Sequence, residues 1–533
     1  MSTYLNTRYY LFLTENNSSI GDFMSLKENK KVPVIILAIC LLALLCIGLS
    51  YAWWRYTAIQ DKTNVGISKC LKLELTNQSD EINLTNMYPI TDEEGRKLTP
   101  YTFTLTNTCT MSAEYTLNME MLEGTTLNSK YLAIMVNNGN INLLSSYDTA
   151  TTVIDGSTES RTIDTGILMP NGSKDYSISL WMDKSVTLSD DAQNKTFKSK
   201  VVVNAVATET TVDKIIASVD TTGKCPTVNE DGSVNVTGVE ATNGYLCKAP
   251  DAYGDSYYYR GNVTNNYVLF ADKYWRIVRI NGDGTVRVIY DGTSAHANGE
   301  SSSDRQIGTS VFNSSSNDNA YVGYMYGQTG ASTYAAAHAN TNNSTIKAYI
   351  DNWYKTNIVG TANEQYLADN VFCNDRSISS NKPDSGYNNL GYGKNVTAYR
   401  WYYGPWSSGG YNSNMRLTCP QKNDAFTVSD TTNGNGALTY PVGLLSTDEI
   451  VLAGGWNASN SGYYLYSGQY WWASSPSSFY GSIAYVRYVS SDGNANTNYY
   501  VVDINGVRPV FNLKAEVLAQ GSGTATDPYR ISS

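Results

Sequence analysis

The chain has 533 residues, enough for two or three domains that each bury a core. Its net charge of -10 argues against a nucleic-acid partner, which needs clustered positive charge. Only 16% of residues are charged while tyrosines number 43, so the surface is expected to be neutral, polar and aromatic.

Val32 to Trp54 carries no charged residue and is long enough to cross a bilayer as a helix. Lys27, Lys30 and Lys31 precede it; Arg55 and Lys62 follow. The positive-inside bias places residues 1–31 in the cytoplasm and everything after 55 outside. Trp53 and Trp54 suit the membrane–water interface. The expected location is the cell membrane, single pass, with an extracellular C-terminus. Ser50-Tyr51-Ala52 also puts small residues where a signal peptidase reads them, and cleavage after Ala52 would give a secreted or cell-surface protein. Both outcomes stay open. The run from Met24 reads as a complete signal start, so residues 1–23 are either a mis-assigned start or part of a short cytoplasmic tail.

From 60 to 207, short runs alternate apolar and polar residues. Examples are Lys72-Leu73-Glu74-Leu75, Tyr101 to Leu105, Tyr115 to Met119, Tyr176 to Trp181 and Val201 to Val206. A period of two marks half-buried strands, and polar clusters such as Asn137-Asn138-Gly139-Asn140 supply the turns. A β-sandwich is the predicted architecture. Gly48-Leu49-Ser50-Tyr51-Ala52-Trp53, followed by Tyr101 to Asn107 and Tyr115-Thr116-Leu117, resembles the TasA/camelysin group of bacterial surface and matrix proteins. That resemblance implies an exported sandwich acting as a spacer or fibre-type packing module. Camelysin-type proteins have been classed as metallopeptidases. The two histidines, His296 and His338, lie outside the region and there is no HExxH motif, which excludes a His-ligated zinc site in it. No cofactor is expected.

Of the eight cysteines, Cys40 and Cys46 lie in the apolar run. Cys70, Cys109, Cys225, Cys247, Cys373 and Cys419 form an even set compatible with an oxidising compartment. Sequence does not choose among their pairings. Sequential pairing is favoured because it keeps each bridge within one proposed domain; free buried thiols are the alternative.

Residues 208–224 read as a linker with one short helical or extended stretch, and a new organisation begins at Cys225. Tyr274 to Ile280 and Thr285 to Tyr290 form a predicted hairpin about Asn281-Gly282-Asp283-Gly284, whose glycines are expected to supply positive φ. Ser344 can cap a helix with Ile346, Tyr349, Ile350 and Trp353 on one face. Ser446 can cap a second, with Glu449 completing a capping box and Gly454 as the stop. Tyr387 to Tyr411 reads as ordered loop.

The stretch from Tyr470 to Lys514 opens with an aromatic cluster and a Ser-Ser-Pro turn and ends in a compact strand, Gly506 to Leu513. Between them Tyr, Ser, Asn and Asp alternate with apolar residues, a mixture that paratopes use. Trp471, Trp472, Ile483, Val486, Val507, Val510 and Leu513 are the expected scaffold. Ser477, Ser478, Tyr480, Tyr485, Arg487, Tyr488, Asn494, Asn496, Asn498 and Tyr499 are the candidate contact face. A one-residue error in register would exchange the two sets. Arg508, in a Val-Arg-Pro-Val run, is expected to pair with a carboxylate or backbone carbonyls.

Leu445 to Ile450, Tyr470 to Pro476, Ala484-Tyr485-Val486 and Gly506 to Val510 form an ordered series. It resembles modules of surface proteins from gut Gram-positive bacteria. More distantly it resembles the C-type-lectin-like fold of formylglycine-generating enzymes and of retroelement-diversified variable proteins. The resemblance implies an α+β display module over 225–533. The calcium-lectin triplets Glu-Pro-Asn and Gln-Pro-Asp are absent, and so is the copper-binding cysteine pair, so neither activity carries over.

The fold class is thus mainly β: an N-terminal transmembrane or signal helix, a sandwich, then a lectin-like domain. The expected function is non-enzymatic binding or adhesion at the cell surface, toward a host or neighbouring-cell protein or glycan. A structural role in a matrix or fibre and a secreted hydrolase are the alternatives. For the hydrolase, Asp448, Glu449, Asp283 and Asp492 are the carboxylates to consider, although helix-terminal and turn positions account for them.

Overall fold

The computed structural model describes residues 55–59, 71–75, 82–85, 87–108, 112–169, 172–207, 209–380, 386–402, 414–455, 459–495 and 497–531. The predicted membrane segment, Cys70, Cys109 and Asn496 lie outside these. Among the described residues no helix is long and apolar enough to cross a membrane. The chain separates into Met1–Tyr56 and Thr57–Ser533, and the architecture is that of the second unit.

The protein is mainly β. The strands β1 (Leu71–Leu75), β2 (Ile82–Leu84), β3 (Tyr101–Asn107), β4 (Ala113–Met121), β5 (Leu132–Val136), β6 (Ile141–Leu143), β7 (Glu159–Leu168), β8 (Ser173–Met182) and β9 (Phe197–Ala207) come first. They make two antiparallel sheets. One has the order β1-β3-β8-β5-β6; in the other, β9 lies between β4 and β2, and β4 also pairs with β7. Alternation in β3 buries Tyr101, Phe103, Leu105 and Asn107. The sheets meet where Tyr115 of β4 and Tyr176 of β8 share a hydrogen bond of 2.7 Å.

Helix α1 (Thr211–Ala217) occupies the predicted linker, capped by Thr210 with Asp213 returning the bond. Its Val212 and Ile215 belong to the same apolar core as the residues that follow. That core lies against a seven-stranded sheet. Its main strands are β10 (Tyr245–Asp251), β11 (Gly254–Arg260), β12 (Lys273–Ile280) and β13 (Val286–Gly292). The predicted hairpin is β12–β13. Gly284 has φ +85°, but Gly282 is required for a different reason. A Cβ there would stand 2.5 Å from the Gly254 nitrogen. The turn packs onto the first pair of sheets, where a Cβ on Gly284 would meet Met169 Cγ at 2.8 Å.

Helices α2 (Thr345–Asn357) and α3 (Thr447–Ala453) form where the sequence indicates, but in α2 Tyr349 is exposed and Tyr354 and Lys347 are buried beside Ile346 and Ile350. Ser344 caps α2; Ser446 and Glu449 form the α3 capping box, and Gly454 ends the helix in the left-handed region.

The C-terminal stretch contains β14 (Trp471–Tyr480), β15 (Ile483–Val489), β16 (Thr497–Tyr500), β17 (Ile504–Gly506) and β18 (Val510–Leu513). Two expectations need correction. The Ser-Ser-Pro segment is not a turn: it lies inside β14, where the register with β15 shifts on both sides of Pro476. An irregular ladder is where an interior strand tolerates a residue without an N–H. The Gly506-to-Leu513 run is not one strand. It leaves the six-stranded sheet of β14 at Gly506 and joins the seven-stranded sheet beside β13 at Val510. Val507 donates to Gly308, and Pro509 accepts from Tyr290, so the connecting backbone stitches the two sheets together.

Candidate functional site

The ladder about β15 settles the faces of the paired residues of β15 and β16. Tyr485 pairs with Ser478 of β14 and Tyr500 of β16; Arg487 pairs with Asn498; Val486 pairs with Tyr499. With side chains alternating along a strand, Tyr485, Arg487, Asn498 and Tyr500 share one face. Tyr488 and Tyr499 share the other. The ten sequence-nominated contact residues do not, therefore, make a single face.

Burial divides them further. Ser477, Ser478 and Arg487 are 0%, 2% and 3% exposed. β14 is an interior strand with Thr397–Ala398 pairing alongside it, and Tyr399 donates its backbone N–H to the Ser477 carbonyl. Ser477 Oγ accepts from Asn498 Nδ2 at 3.3 Å. The Arg487 guanidinium turns inward and donates to the Trp401 and Tyr402 carbonyls, and burial pushes its pKa down to about 10. Tyr488 is buried, Tyr485 and Asn494 are half-buried, and Asn494 belongs to the Ser490–Asn494 turn. Tyr480, Asn498 and Tyr499 face solvent.

Two exposed tyrosines escaped the sequence reading, Tyr470 and Tyr500. Among the described residues β16 pairs with β15 alone, and its Asn498, Tyr499 and Tyr500 are exposed on both faces. Adjacent Tyr499 and Tyr500 are 45% and 42% exposed despite their opposite parity. The alternation rule assumes one buried face and hides such a pair.

The rings make a continuous strip around this edge. Centroid separations are 5.0 Å for Tyr485–Tyr500, 6.1 Å for Tyr500–Tyr499, 5.3 Å for Tyr499–Tyr488 and 5.8 Å for Tyr488–Tyr470. Tyr480, also exposed, stacks on Tyr387 at 5.6 Å, with ring planes 14° apart. Burial, then the neighbouring Tyr500, raises the Tyr485 phenol pKa. Between residues 470 and 504 the ionisable side chains besides tyrosine are Arg487, Asp492 and Asp503. Arg487 is turned inward. Asp492 is occupied by Ser490 and by Ser459 Oγ at 2.7 Å.

Of the four carboxylates considered for hydrolysis, Asp448 and Glu449 are bound to cations. Asp448 accepts from Arg400 at 2.6 and 2.8 Å and from Trp401 Nε1 at 2.7 Å. Glu449 accepts from Arg287 at 2.7 Å, Arg279 at 3.3 Å and the Ser446 backbone at 2.9 Å. Burial opposes the Glu449 charge, yet Arg287 and Arg279 hold its pKa below the ordinary value. The void beside this network is about 10 Å³, near the lower limit for a single water. Asp283 binds Thr285 and Asn370 in the β12–β13 turn, and burial raises its pKa. A larger cleft, about 1170 Å³, separates the first pair of sheets from later segments and includes Lys174, Tyr176, Tyr253, Asp369 and Asp430. Its Asp369 and Asp430 accept backbone N–H groups of residues 428–433, as turn-capping carboxylates do.

His296 lies between Glu300 at 2.7 Å and Asp304 at 3.0 Å, one on each ring nitrogen, so the two carboxylates do not converge on one metal position. His338 is buried against Tyr334. Two disulfides follow the sequential pairing, Cys225–Cys247 and Cys373–Cys419.

This geometry defines a mainly β protein with an exposed aromatic sheet edge. Residues 413–515, which contain that edge, match the family model for DUF6273, a domain of unknown function. No curated protein matches. Among solved structures, the chain is compared with the botulinum neurotoxin serotype C1 binding domain at 10% identity and TM-score 0.12, over 44% of this chain and 66% of that one, just under two thirds of its length. A second is the binding domain of botulinum neurotoxin DC, solved in complex with rat synaptotagmin II, at 12% identity and TM-score 0.10, over 45% and 74%. At such scores the likeness defines neither fold nor function.

Proposed function

We propose that the protein is a non-enzymatic binding or adhesion protein of the cell surface. In this reading residues 32–54 anchor it in the membrane. Residues 60–207 form a β-sandwich spacer of TasA/camelysin type, and 225–533 form a C-type-lectin-like display module. The partner is a protein or glycan on a host or neighbouring cell. The observation that supports this most directly is the exposure of the tyrosines: Tyr470, Tyr480, Tyr499 and Tyr500 are each at least 42% exposed. Large exposed rings cost solvation, and Tyr contributes contact area with few rotamers to freeze. Occupied carboxylates at α3 favour binding over hydrolysis. The test is cell attachment by immobilised full-length protein, compared with a Tyr499→Ala/Tyr500→Ala variant. Attachment lost in the variant supports the reading; attachment that the variant leaves unchanged removes the strip from it.

A further inference from the structure

We propose that the tyrosine edge takes an uncharged oligosaccharide, independently of calcium; this rests on the reading of the edge as the binding surface. Charge is the first argument. An acidic ligand, such as a sialylated or sulfated glycan or an acidic peptide, is recognised by arginine or lysine side chains that meet it directly. The arginine of this stretch, Arg487, is 3% exposed and engaged with the Trp401 and Tyr402 carbonyls. Asp492 takes hydrogen bonds from Ser490 and Ser459, and Asp503 follows β16, so the stretch carries carboxylates and no outward cation. Among glycans it therefore complements a neutral one and not an acidic one.

The chemistry of the exposed groups is the second argument. A pyranose presents apolar C–H faces and a rim of hydroxyls. A matching surface needs ring faces with donors and acceptors at their margins, which tyrosine combines in one side chain. Asn498 adds an exposed amide on the face shared with Tyr485 and Tyr500. Tyr499 and Tyr500 are exposed on opposite faces of β16, so an oligosaccharide can meet both rings by straddling the edge. Calcium-mediated sugar binding uses several carboxylate and carbonyl oxygens converging on the ion. Among the described residues no three His, Cys, Asp or Glu side chains gather to hold an ion, and recognition by this edge runs through stacking and hydrogen bonds.

The test uses the purified full-length protein against three probe sets. They are neutral gluco-, galacto- and manno-oligosaccharides; sialylated and sulfated glycans; and recombinant cell-surface ectodomains. Tyr499→Ala/Tyr500→Ala and Tyr499→Phe/Tyr500→Phe variants are run alongside, with thermal unfolding to show that both fold. The expected result is binding to a neutral oligosaccharide that persists in EDTA and in high salt. Affinity falls roughly tenfold or more in the alanine pair, as expected for lost aromatic contacts, while the phenylalanine pair, which keeps the rings and loses the hydroxyls, falls between the parent and the alanine pair. Binding confined to anionic glycans, or loss in EDTA, overturns the inference. Tyrosine-dependent capture of an ectodomain with no glycan bound also overturns it and leaves the broader reading intact. No tyrosine-dependent binding to any set overturns both.

Discussion

Arg508 and Asp291 form an ion pair of 3.1 Å in which both side chains are fully buried. Arg508 comes from the backbone that crosses between the two large sheets, and Asp291 from β13. Arg305 shares the same carboxylate oxygen at 2.7 Å. Arg508 also donates to the Tyr290 and Leu465 carbonyls and lies over the Trp471 ring. Burial and the adjacent Arg305 push the Arg508 pKa down to about 9, against the attraction of Asp291. The sequence reading of Arg508 as structural is therefore met in full: it has a carboxylate and two carbonyls.

Replacing Asp291 with Asn keeps the shape and removes the charge that neutralises two buried guanidinium groups. Breaking a buried pair in this way costs about 3–5 kcal/mol. Asp291→Asn should lower the urea midpoint accordingly. An Asp291→Asn/Arg508→Met double variant should lose less than the sum of the single changes, because one stranded cation has gone. Additive losses would mean that the two residues act independently.

His338 gives a pH dependence with a definite sign. Its Nε2 lies 3.0 Å from the Gly391 carbonyl, and Nδ1 is buried without a partner. Burial, then the charge of Arg376, lowers its pKa to about 2. The folded protein keeps the ring neutral, whereas the unfolded chain protonates it near pH 6.5. The unfolded state thus binds the extra proton. This contribution to stability is full above pH 6.5 and is lost progressively as pH falls toward 2, by about 1.4 kcal/mol per pH unit. His338→Phe keeps a ring against Tyr334 and cannot protonate. Its stability should fall less steeply than that of the parent between about pH 6.5 and 5, a difference near 2 kcal/mol by urea unfolding. Equal slopes would refute the assignment.

Local signals in the sequence carried well where one segment decides the outcome. The α3 capping box, the Ser344 cap, the β12–β13 hairpin and the strands at Tyr101, Tyr115 and Tyr176 depend on neighbours within a few residues. The C-terminal stretch depends on distant partners. Whether β14 is interior follows from Thr397–Ala398 pairing alongside it, and whether Arg487 is inside follows from the Trp401 carbonyl. Periodicity contains neither fact. It also assigns one buried face to every strand, so it treats interior β14, buried on both faces, and edge β16, open on both, alike.

Gly284 separates two contributions that the sequence cannot. It lies at φ +85°, and an added Cβ would come within 2.8 Å of Met169 Cγ. Gly223 has nearly the same backbone, φ +80°, with nothing within 4 Å of a Cβ. Both Gly→Ala changes carry the left-handed cost of about 1–2 kcal/mol. Only Gly284→Ala also crowds the contact between the hairpin turn and the first pair of sheets. It should be the more destabilising, by about 1 kcal/mol, with faster amide exchange around Met169. Equal effects would show that the turn gives way freely at that contact.

The divided contact set yields the sharpest test of the surface. Tyr499 and Tyr500 are 45% and 42% exposed, and surface substitutions away from special features change stability by about 0.5 kcal/mol or less. Part of each ring packs on its neighbours, so Tyr499→Ala/Tyr500→Ala should cost about 1 kcal/mol at most while abolishing attachment. Arg487 lies in the same sequence-nominated set but is buried. Arg487→Ala strands the Trp401 and Tyr402 carbonyls and leaves a cavity beneath the sheet, with an expected loss of about 2–4 kcal/mol. Arg487→Lys, which keeps a cation but not the fork that reaches both carbonyls, should fall between the two. At a temperature where each variant remains folded, the arginine variants should keep the attachment that the tyrosine pair loses. If arginine removal abolishes attachment without a loss of stability, the buried half of the stretch takes part in contact and the strip is wider than its exposed rings.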